Sequence, residues 1–153
     1  TRLCFLGAEN ARDNNTKLLW HKIMLRAPIG TVLMAHPGYS HMICFGKGKN
    51  VFDNISKRPL PDVLDRGDML YPKAMGINAC MLAMIFCKEA GATTIVDPFC
   101  GKGSVLLAAN YVGLDAIGVD ISATRCRNAK SMRQHSMEDF VKCVQTRSFM
   151  RLN

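Results

Sequence analysis

Residues 93–120, TTIVDPFCGKGSVLLAANYVGLDAIGVD, constrain this chain more than any other stretch. An apolar run, Thr94-Ile95-Val96, ends in an acid and a proline, Asp97-Pro98. A glycine-containing turn follows, Cys100-Gly101-Lys102-Gly103-Ser104, and then an apolar helical run from Val105 to Val112. After a glycine break, a second short apolar run, Ala116 to Val119, ends in Asp120. Strand, tight loop, helix and strand within about thirty residues is the length of one βαβ unit. The physics of that order is ligand capture. Small loop residues let the backbone approach a ligand, the helix N-terminus offers N–H groups, and an acid ending the next strand is placed for two ribose hydroxyls. The stretch predicts a nucleoside-cofactor site.

Counting glycines narrows the ligand. A dinucleotide fingerprint needs GxGxxG, but Gly101-x-Gly103 is followed by Leu106 where the third glycine belongs. A P-loop needs a glycine five residues before Gly-Lys and a Ser or Thr after it. Here Val96 precedes and Gly103 follows Gly101-Lys102. What remains is a loop for a cofactor with an amino-acid end and a nucleoside end.

The rest of the chain sets bounds. Its 153 residues suit one domain, and 48% hydrophobic against 21% charged residues describes an ordered globular protein. The longest apolar run, around Ala79 to Cys87, is too short for a membrane span, and no signal-peptide pattern opens the chain. The expectation is an intracellular protein, cytoplasmic or nuclear, with no membrane partner. Residue 1 is Thr rather than Met, which leaves room for sequence upstream. Seven cysteines include no CxxC pair and leave an odd one, so they read as reduced thiols in apolar runs, with neither a disulfide framework nor a metal expected. A net charge of +8 favours polyanionic partners, although no aromatic-interleaved motif accompanies the Lys and Arg residues along the chain.

In order, residues 3–8 read as a short buried strand and 9–16 as a polar loop. Lys17 to Leu25 and Tyr39 to Phe45 read as strands that pair as an antiparallel ribbon around a long loop, within which Thr31 to Met34 is ambiguous. Asn50 to Pro72 is punctuated by Pro59, Pro61, Gly67 and Pro72 and has no sustained period: a lid, a substrate loop or a short helix. Lys73 to Ala90 reads as a helix apolar nearly all round, stopped by Gly91. After Asp120, Ser122 caps a last helix to about Gln134, with Arg125, Arg127, Lys130 and Arg133 on its solvent side. One more apolar run, Phe140 to Val144, precedes a basic tail.

DPFCGKGS (97–104) resembles the DPFCGSGT loop of class I S-adenosylmethionine-dependent methyltransferases, especially those acting on DNA or RNA bases. AIGVDIS (116–122) is similar to that family's second strand and its ribose-binding acid, and YPKAMGINACMLAMIF (71–86) resembles the helix preceding the loop. The resemblance covers residues 71–130. It implies an α/β chain with the Rossmann-like three-layer α/β/α methyltransferase fold and S-adenosyl-L-methionine as cofactor. It also implies a single domain over 1–153, with N-terminal strands in 1–50, an irregular loop in 51–72 and a cofactor-binding helix plus βαβα unit in 73–134. Carried over, Asp97 and the Gly101 to Gly103 backbone face the methionine end of the cofactor. Asp120 takes the ribose hydroxyls and Ile121 lies against the adenine. Lys73, Ala74 and Met75 border the methionine moiety from the preceding helix, and Phe99 packs beside the cofactor. Cys100 has no base beside it and reads as a packing residue.

Strand-like segments lie ahead of the loop and only about thirty residues follow Asp120, an order the resemblance resolves as circular permutation. The resemblance stops at the catalytic motif. Amino-group methylases carry [DNS]-P-P-[YFW], and neither that nor a Pro-Cys nucleophile is present. Glu9, Asn10, His36, Tyr39 and His41 are the polar or aromatic residues left to line a substrate pocket. The reading is a methyltransferase acting on nucleic acid, RNA ahead of DNA. The alternatives are a non-catalytic nucleic-acid or protein-binding module of the same fold, and a small-molecule or protein methyltransferase. Oligomeric state is not readable.

Overall fold

The computed structural model describes residues 16–47 and 60–135. They fall in two compact units, residues 1–65 and 66–153. The strand expected at 3–8 and the apolar run at 140–144 lie outside the described residues.

In the first unit, β1 (Thr16–Leu25) and β2 (Tyr39–Lys47) pair antiparallel from Thr16↔Lys47 to Leu25↔Tyr39, with a bulge between Leu18 and Trp20. This is the expected ribbon. Its connecting loop is closed by the Arg26 N–H donating to the Gly38 carbonyl at 2.7 Å, and Thr31 to Met34 lie in that loop rather than in a strand. The ribbon has one buried face, on which Lys22 and Met24 are 4% and 2% exposed. A buried ammonium needs acceptors. Lys22 Nζ donates to the Leu60 carbonyl at 2.9 Å and to Asp62 Oδ1 at 3.0 Å.

That anchor explains one departure from the sequence reading. Residues 63–65, inside the stretch expected to be irregular, form β3 (Val63–Asp65), parallel to β1 in the register Ile23↔Val63 to Leu25↔Asp65. Three residues are too few to show a period, and only Leu64 of the three is buried. The pairing comes from neighbours that sequence cannot place, including the Ile23 N–H bonded to the Asp62 carbonyl at 2.8 Å.

In the second unit, α1 (Ile77–Glu89) is buried along nearly all of Ile77 to Phe86, as its continuous apolar character requires. It starts four residues later than the sequence suggests. Pro72 restricts what precedes Lys73, and Lys73 itself adopts a left-handed φ of 67°. Gly76 is the extended N-cap, and a Cβ there would lie 2.1 Å from the Arg66 carbonyl oxygen. Residues 73–75 are therefore a turn ahead of the helix. Gly91, at φ 86°, follows the helix as expected.

β4 (Thr94–Asp97), α2 (Ser104–Tyr111) and β5 (Asp115–Gly118) form the βαβ unit, with β4 and β5 parallel from Thr94↔Asp115 to Asp97↔Gly118. Lys88 Nζ donates to the Val112 carbonyl, which satisfies an acceptor at the C-terminal end of α2. The core joins Ile77, Met81 and Met84 of α1 to Leu107 and Ala108 of α2, and Leu114 closes it before β5. α3 (Ala123–His135) follows, with Arg125, Arg127 and Lys130 exposed as expected. Among the described residues no helix is long and apolar enough to cross a membrane.

Candidate cofactor site

Two parallel strands end side by side, and the chain leaves each with an acid. Asp97 closes β4 and Asp120 stands two residues beyond β5. The strand ends are tied together by backbone: the Val119 N–H donates to the Asp97 carbonyl and the Cys100 N–H to the Val119 carbonyl, both at 2.9 Å. The loop then turns through Gly101 and Gly103, whose φ values of 55° and 94° are left-handed and suit glycine. At Gly103 a Cβ would also press on Ala129 Cβ at 3.1 Å, so α3 packs there without room for a side chain.

The carboxylates hold this loop. Asp97 Oδ1 accepts the Phe99 N–H at 3.0 Å. Asp120 accepts twice, from Gly101 N–H on Oδ2 at 3.0 Å and from Ser122 N–H on Oδ1 at 2.8 Å, and its side chain is only 6% exposed. Arg125 stands 3.8 Å from Oδ2, and Ser122 Oγ accepts the Arg125 N–H at 3.4 Å as the expected helix cap. Lys102 N–H donates to the Tyr71 hydroxyl at 3.2 Å, and the Lys102 ammonium lies 5.1 Å from the centre of the Tyr71 ring. The turn before α1 and the glycine loop thus border one site.

This arrangement corrects part of the sequence reading. The N–H groups of Gly101, Lys102 and Gly103 are each bonded within the protein, the last to the Cys100 carbonyl at 2.8 Å, so the glycine loop does not present free donors. The first N–H groups of α2 are the donors a helix start leaves over. Beside them Ser104 Oγ is buried with no hydrogen-bond partner among the described residues. Lys73, Ala74 and Met75, expected on a helix, lie in a turn ahead of it. Ala74 is 8% exposed and packs inward, whereas Lys73 and Met75 are exposed. Phe99 and Ile121, at 86% and 103% exposure, stand as two uncovered apolar side chains just after the two strand-end acids. Burial is favourable for both, and nothing among the described residues supplies it.

Cys100 is buried, and its thiol is pushed up from the usual range by desolvation first and then by Cys126, Asp97 and Asp120. It is a poor nucleophile here, as its setting in the sequence suggests. A cavity of about 240 Å³ opens between α2, β5 and α3, lined by Cys100, Leu106, Gly118, Cys126 and Lys130 among others. None of Asp97, Phe99, Asp120 or Ile121 lines it, so it offers no carboxylate to a ribose, and it meets the glycine loop only at Cys100 and Gly103.

Of the residues proposed for chemistry, Glu9 and Asn10 lie outside the described residues. His36 is exposed in the β1–β2 loop. Tyr39 and His41 lie on the ribbon together with His21, which the sequence did not single out: His21 Nε2 and His41 Nδ1 are 2.7 Å apart. Sequence reasoning also passed over Tyr71 and Ser104, although both fall inside the stretches that carry the resemblance. Among the described residues no group of three or more His, Cys, Asp or Glu gathers for a metal, and the five described cysteines are free thiols.

Solved structures share this architecture. M1.HpyAVI in its S-adenosylmethionine complex superposes with a TM-score of 0.65 over 87% of this chain and 70% of its own, at 15% identity. TTHA0409 of Thermus thermophilus, described as a DNA modification methylase, matches with a TM-score of 0.56 over 85% of this chain, at 17% identity. The same protein complexed with S-adenosyl-L-methionine matches at 0.55. The chain has the α/β fold of these methylases. It spans 59% of the length of TTHA0409. No protein-family model and no curated protein matches the sequence.

Within this fold, polar and apolar groups of several kinds gather at the two strand ends. They comprise two acids, a buried hydroxyl beside a helix start and two exposed apolar side chains.

Proposed function

We propose that the chain carries the cofactor site of an S-adenosyl-L-methionine-dependent methyltransferase acting on a nucleic-acid base. The observation that carries this is the loop between Asp97 and Gly103, tied by Asp120 across two parallel strand ends and flanked by exposed Phe99 and Ile121. The fold shared with methylases solved in complex with S-adenosylmethionine supports it.

When bound, the cofactor supplies an electrophilic methyl group on a sulfonium. The residues of this chain hold it and keep its surroundings fixed. Asp120 retains lone pairs beyond the two it gives to Gly101 and Ser122, and these take the ribose hydroxyls. Asp97 and the Gly101 to Gly103 turn face the amino-acid end with Lys73 and Met75, and the start of α2 with Ser104 Oγ receives the carboxylate. Phe99 packs beside the cofactor and Ile121 against its base. Methyl transfer depends chiefly on positioning the acceptor in line with the sulfonium, so a general base is not required of this site.

For the substrate, the net charge of +8 favours a polyanion but does not separate RNA from DNA. TTHA0409, which shares the fold, is described as a DNA modification methylase, and this moves the reading from RNA, favoured by the sequence alone, to DNA. The missing [DNS]-P-P-[YFW] motif favours a second reading, a cofactor-binding module without transfer activity of its own. Calorimetry with S-adenosylhomocysteine tests the cofactor site, with binding expected to be lost in Asp120→Ala. Radiolabelled methyl transfer to DNA and RNA separates the two readings: label in neither, with cofactor binding intact, leaves the binding module.

A further inference from the structure

The sequence spreads its aromatic and basic residues with no interleaved pattern, but the pairing of β1 with β2 gathers a set of them on one face. Alternate residues of a strand share a face. On β2 these are Tyr39, His41, Ile43 and Phe45, and the register sets Leu25, Ile23, His21 and Leu18 opposite them. This face is the reverse of the one that buries Lys22 and Met24. Tyr39 and Phe45 are 43% and 36% exposed, and His21 is exposed beside half-buried His41. Three rings run in a row across the ribbon: His21 to His41 with centroids 4.9 Å apart, and His41 to Tyr39 at 5.3 Å, edge to face. Phe45 follows two positions beyond Ile43 on the same strand.

The two strands themselves carry charge of one sign, and across Leu25 the parallel strand β3 adds one acid to this face, the exposed Asp65. Residues 16–47 contain Lys17, Lys22, Arg26 and Lys47 and no Asp or Glu. Lys22 is committed to Leu60 and Asp62 on the buried face. Lys47, two positions beyond Phe45, stands on this face at one end of the ribbon and Arg26 follows Leu25 at the other, beside the Leu25↔Tyr39 pair, whereas Lys17, opposite Gly46, belongs to the reverse face. Three of the chain's four histidines, His21, His36 and His41, also fall in this segment.

We propose that the outer face of the β1–β2 ribbon is a stacking platform for unpaired bases of a single-stranded nucleic acid, with Tyr39, His41 and Phe45 as ring contacts and Lys47 and Arg26 on the phosphates. The proposal rests on the nucleic-acid reading above and deepens it to a surface and a strandedness. Side chains two apart on a strand stand roughly 7 Å apart. That is about twice the 3.4 Å rise of stacked bases in a duplex, so successive bases meet successive rings only once they are unstacked. Every base has a π-face, and aromatic platforms flanked by cations bind single strands with little sequence preference. A second copy of this chain is a poorer occupant, because face-to-face docking brings two cations from each copy, Lys47 and Arg26, to the seam against one acid, Asp65.

The experiment uses the full chain with fluorescein-labelled oligo(dT) and oligo(U) of about twelve nucleotides, within the site sizes such platforms cover, and a duplex of equal length, read by fluorescence anisotropy. Either single strand is expected to bind more tightly than the duplex. Phe45→Leu and Tyr39→Leu keep the apolar volume but remove the π-face, and each is expected to weaken single-strand binding roughly tenfold without moving the melting temperature. Phe45→Trp is expected to retain affinity, which guards against a leucine variant that fails to fold. Lys47→Ala is expected to lower the salt slope by about one while leaving the preference for single strands. On the unaltered protein, photo-crosslinking to 5-iodouracil-substituted strands is expected at Tyr39, His41 or Phe45. Nucleic acid bound equally well by the leucine variants, with crosslinks elsewhere, overturns the platform and leaves the nucleic-acid reading standing. No binding to any strand overturns both. A dimer in sedimentation that Phe45→Leu dissociates, with anisotropy unchanged, assigns the face to a contact between copies and overturns the proposal.

Discussion

The carboxylate of Asp120 receives the backbone N–H of Gly101 at 3.0 Å, so the residue that follows β5 holds the loop that follows β4. Its other oxygen holds the Ser122 N–H at 2.8 Å and so fixes the entry to α3. One acid therefore couples the glycine loop, the end of β5 and the start of α3. The ligand role proposed for it is exercised from a position the protein has already fixed. Little side-chain entropy is left to lose on binding, which is how a preorganised site gains affinity.

Two substitutions at this residue separate its roles. Asp120→Ala leaves the N–H groups of Gly101 and Ser122 without their acceptor, and each such loss costs about 1–3 kcal/mol where the group is buried. Asp120→Asn keeps one acceptor oxygen and turns a donor on the other N–H, so it is expected to cost less in stability. It also removes the charge that favours the ribose hydroxyls. We expect S-adenosylhomocysteine affinity to fall roughly tenfold or more in Asp120→Asn, one charged hydrogen bond being worth about 1.5–3 kcal/mol. Thermal melts and calorimetry together check this. Lowered melting with unchanged affinity makes Asp120 a loop tie alone.

Tyr71 couples the turn before α1 to the same loop through the Lys102 N–H. Tyr71→Phe removes the acceptor and keeps the ring beneath the Lys102 ammonium. The expected loss of stability is about 1 kcal/mol, the usual net value of one hydrogen bond. Amide hydrogen exchange gives the sharper readout: protection at Lys102 is expected to fall, while protection in the core of α1 stays as it was.

The part of the fold that sequence displays is the part made by short-range pattern. The βαβ unit is legible because an apolar run, a Gly-containing loop and a second run lie within one contiguous stretch, and the ribbon because two apolar runs flank a turn-rich loop. β3 was not legible, since Val63 to Asp65 are strand only because Lys22 and Ile23 reach Asp62 across the chain. The late start of α1 was masked for the same reason. Met75 continues the apolar pattern, but the close pass of Gly76 over Arg66 decides where the helix begins. At the site, residue types pointed to Asp97 and Asp120, yet no pattern in the chain says that the loop N–H groups turn inward. The row of rings was invisible because its members sit on two strands about twenty residues apart.

That close pass makes Gly76 the most sensitive glycine near the site. A Cβ at position 76 would stand 2.1 Å from the Arg66 carbonyl oxygen and 2.6 Å from its carbon, which are backbone atoms that cannot swing aside. Gly76→Ala is expected to lose at least the ~1–3 kcal/mol typical of overpacking and to displace Lys73 and Met75. Gly91→Ala is the control. There is open space around Gly91, and only its φ of 86° opposes a side chain, so the cost is expected near ~1 kcal/mol. Urea denaturation of both variants, read at constant m, tests the order.

Cys80 ties the stability of the core to alkaline pH. Its thiol is 1% exposed in α1 and is raised from 9.0 to about 12, by desolvation first and by the charge of Asp97 second. The folded chain therefore keeps the proton over a range in which the unfolded chain gives it up. Above pH 9 the unfolded state binds fewer protons, so stability falls as pH rises and levels off only near 12. The slope from this one group approaches about 1.4 kcal/mol per pH unit. Cys80→Ala carries no ionisable group and fills less volume, so it is expected to be less stable at neutral pH yet to lose less on going from pH 8 to about 10.5. Chemical denaturation across that range checks the sign. An alkaline loss identical in both proteins assigns it to other groups.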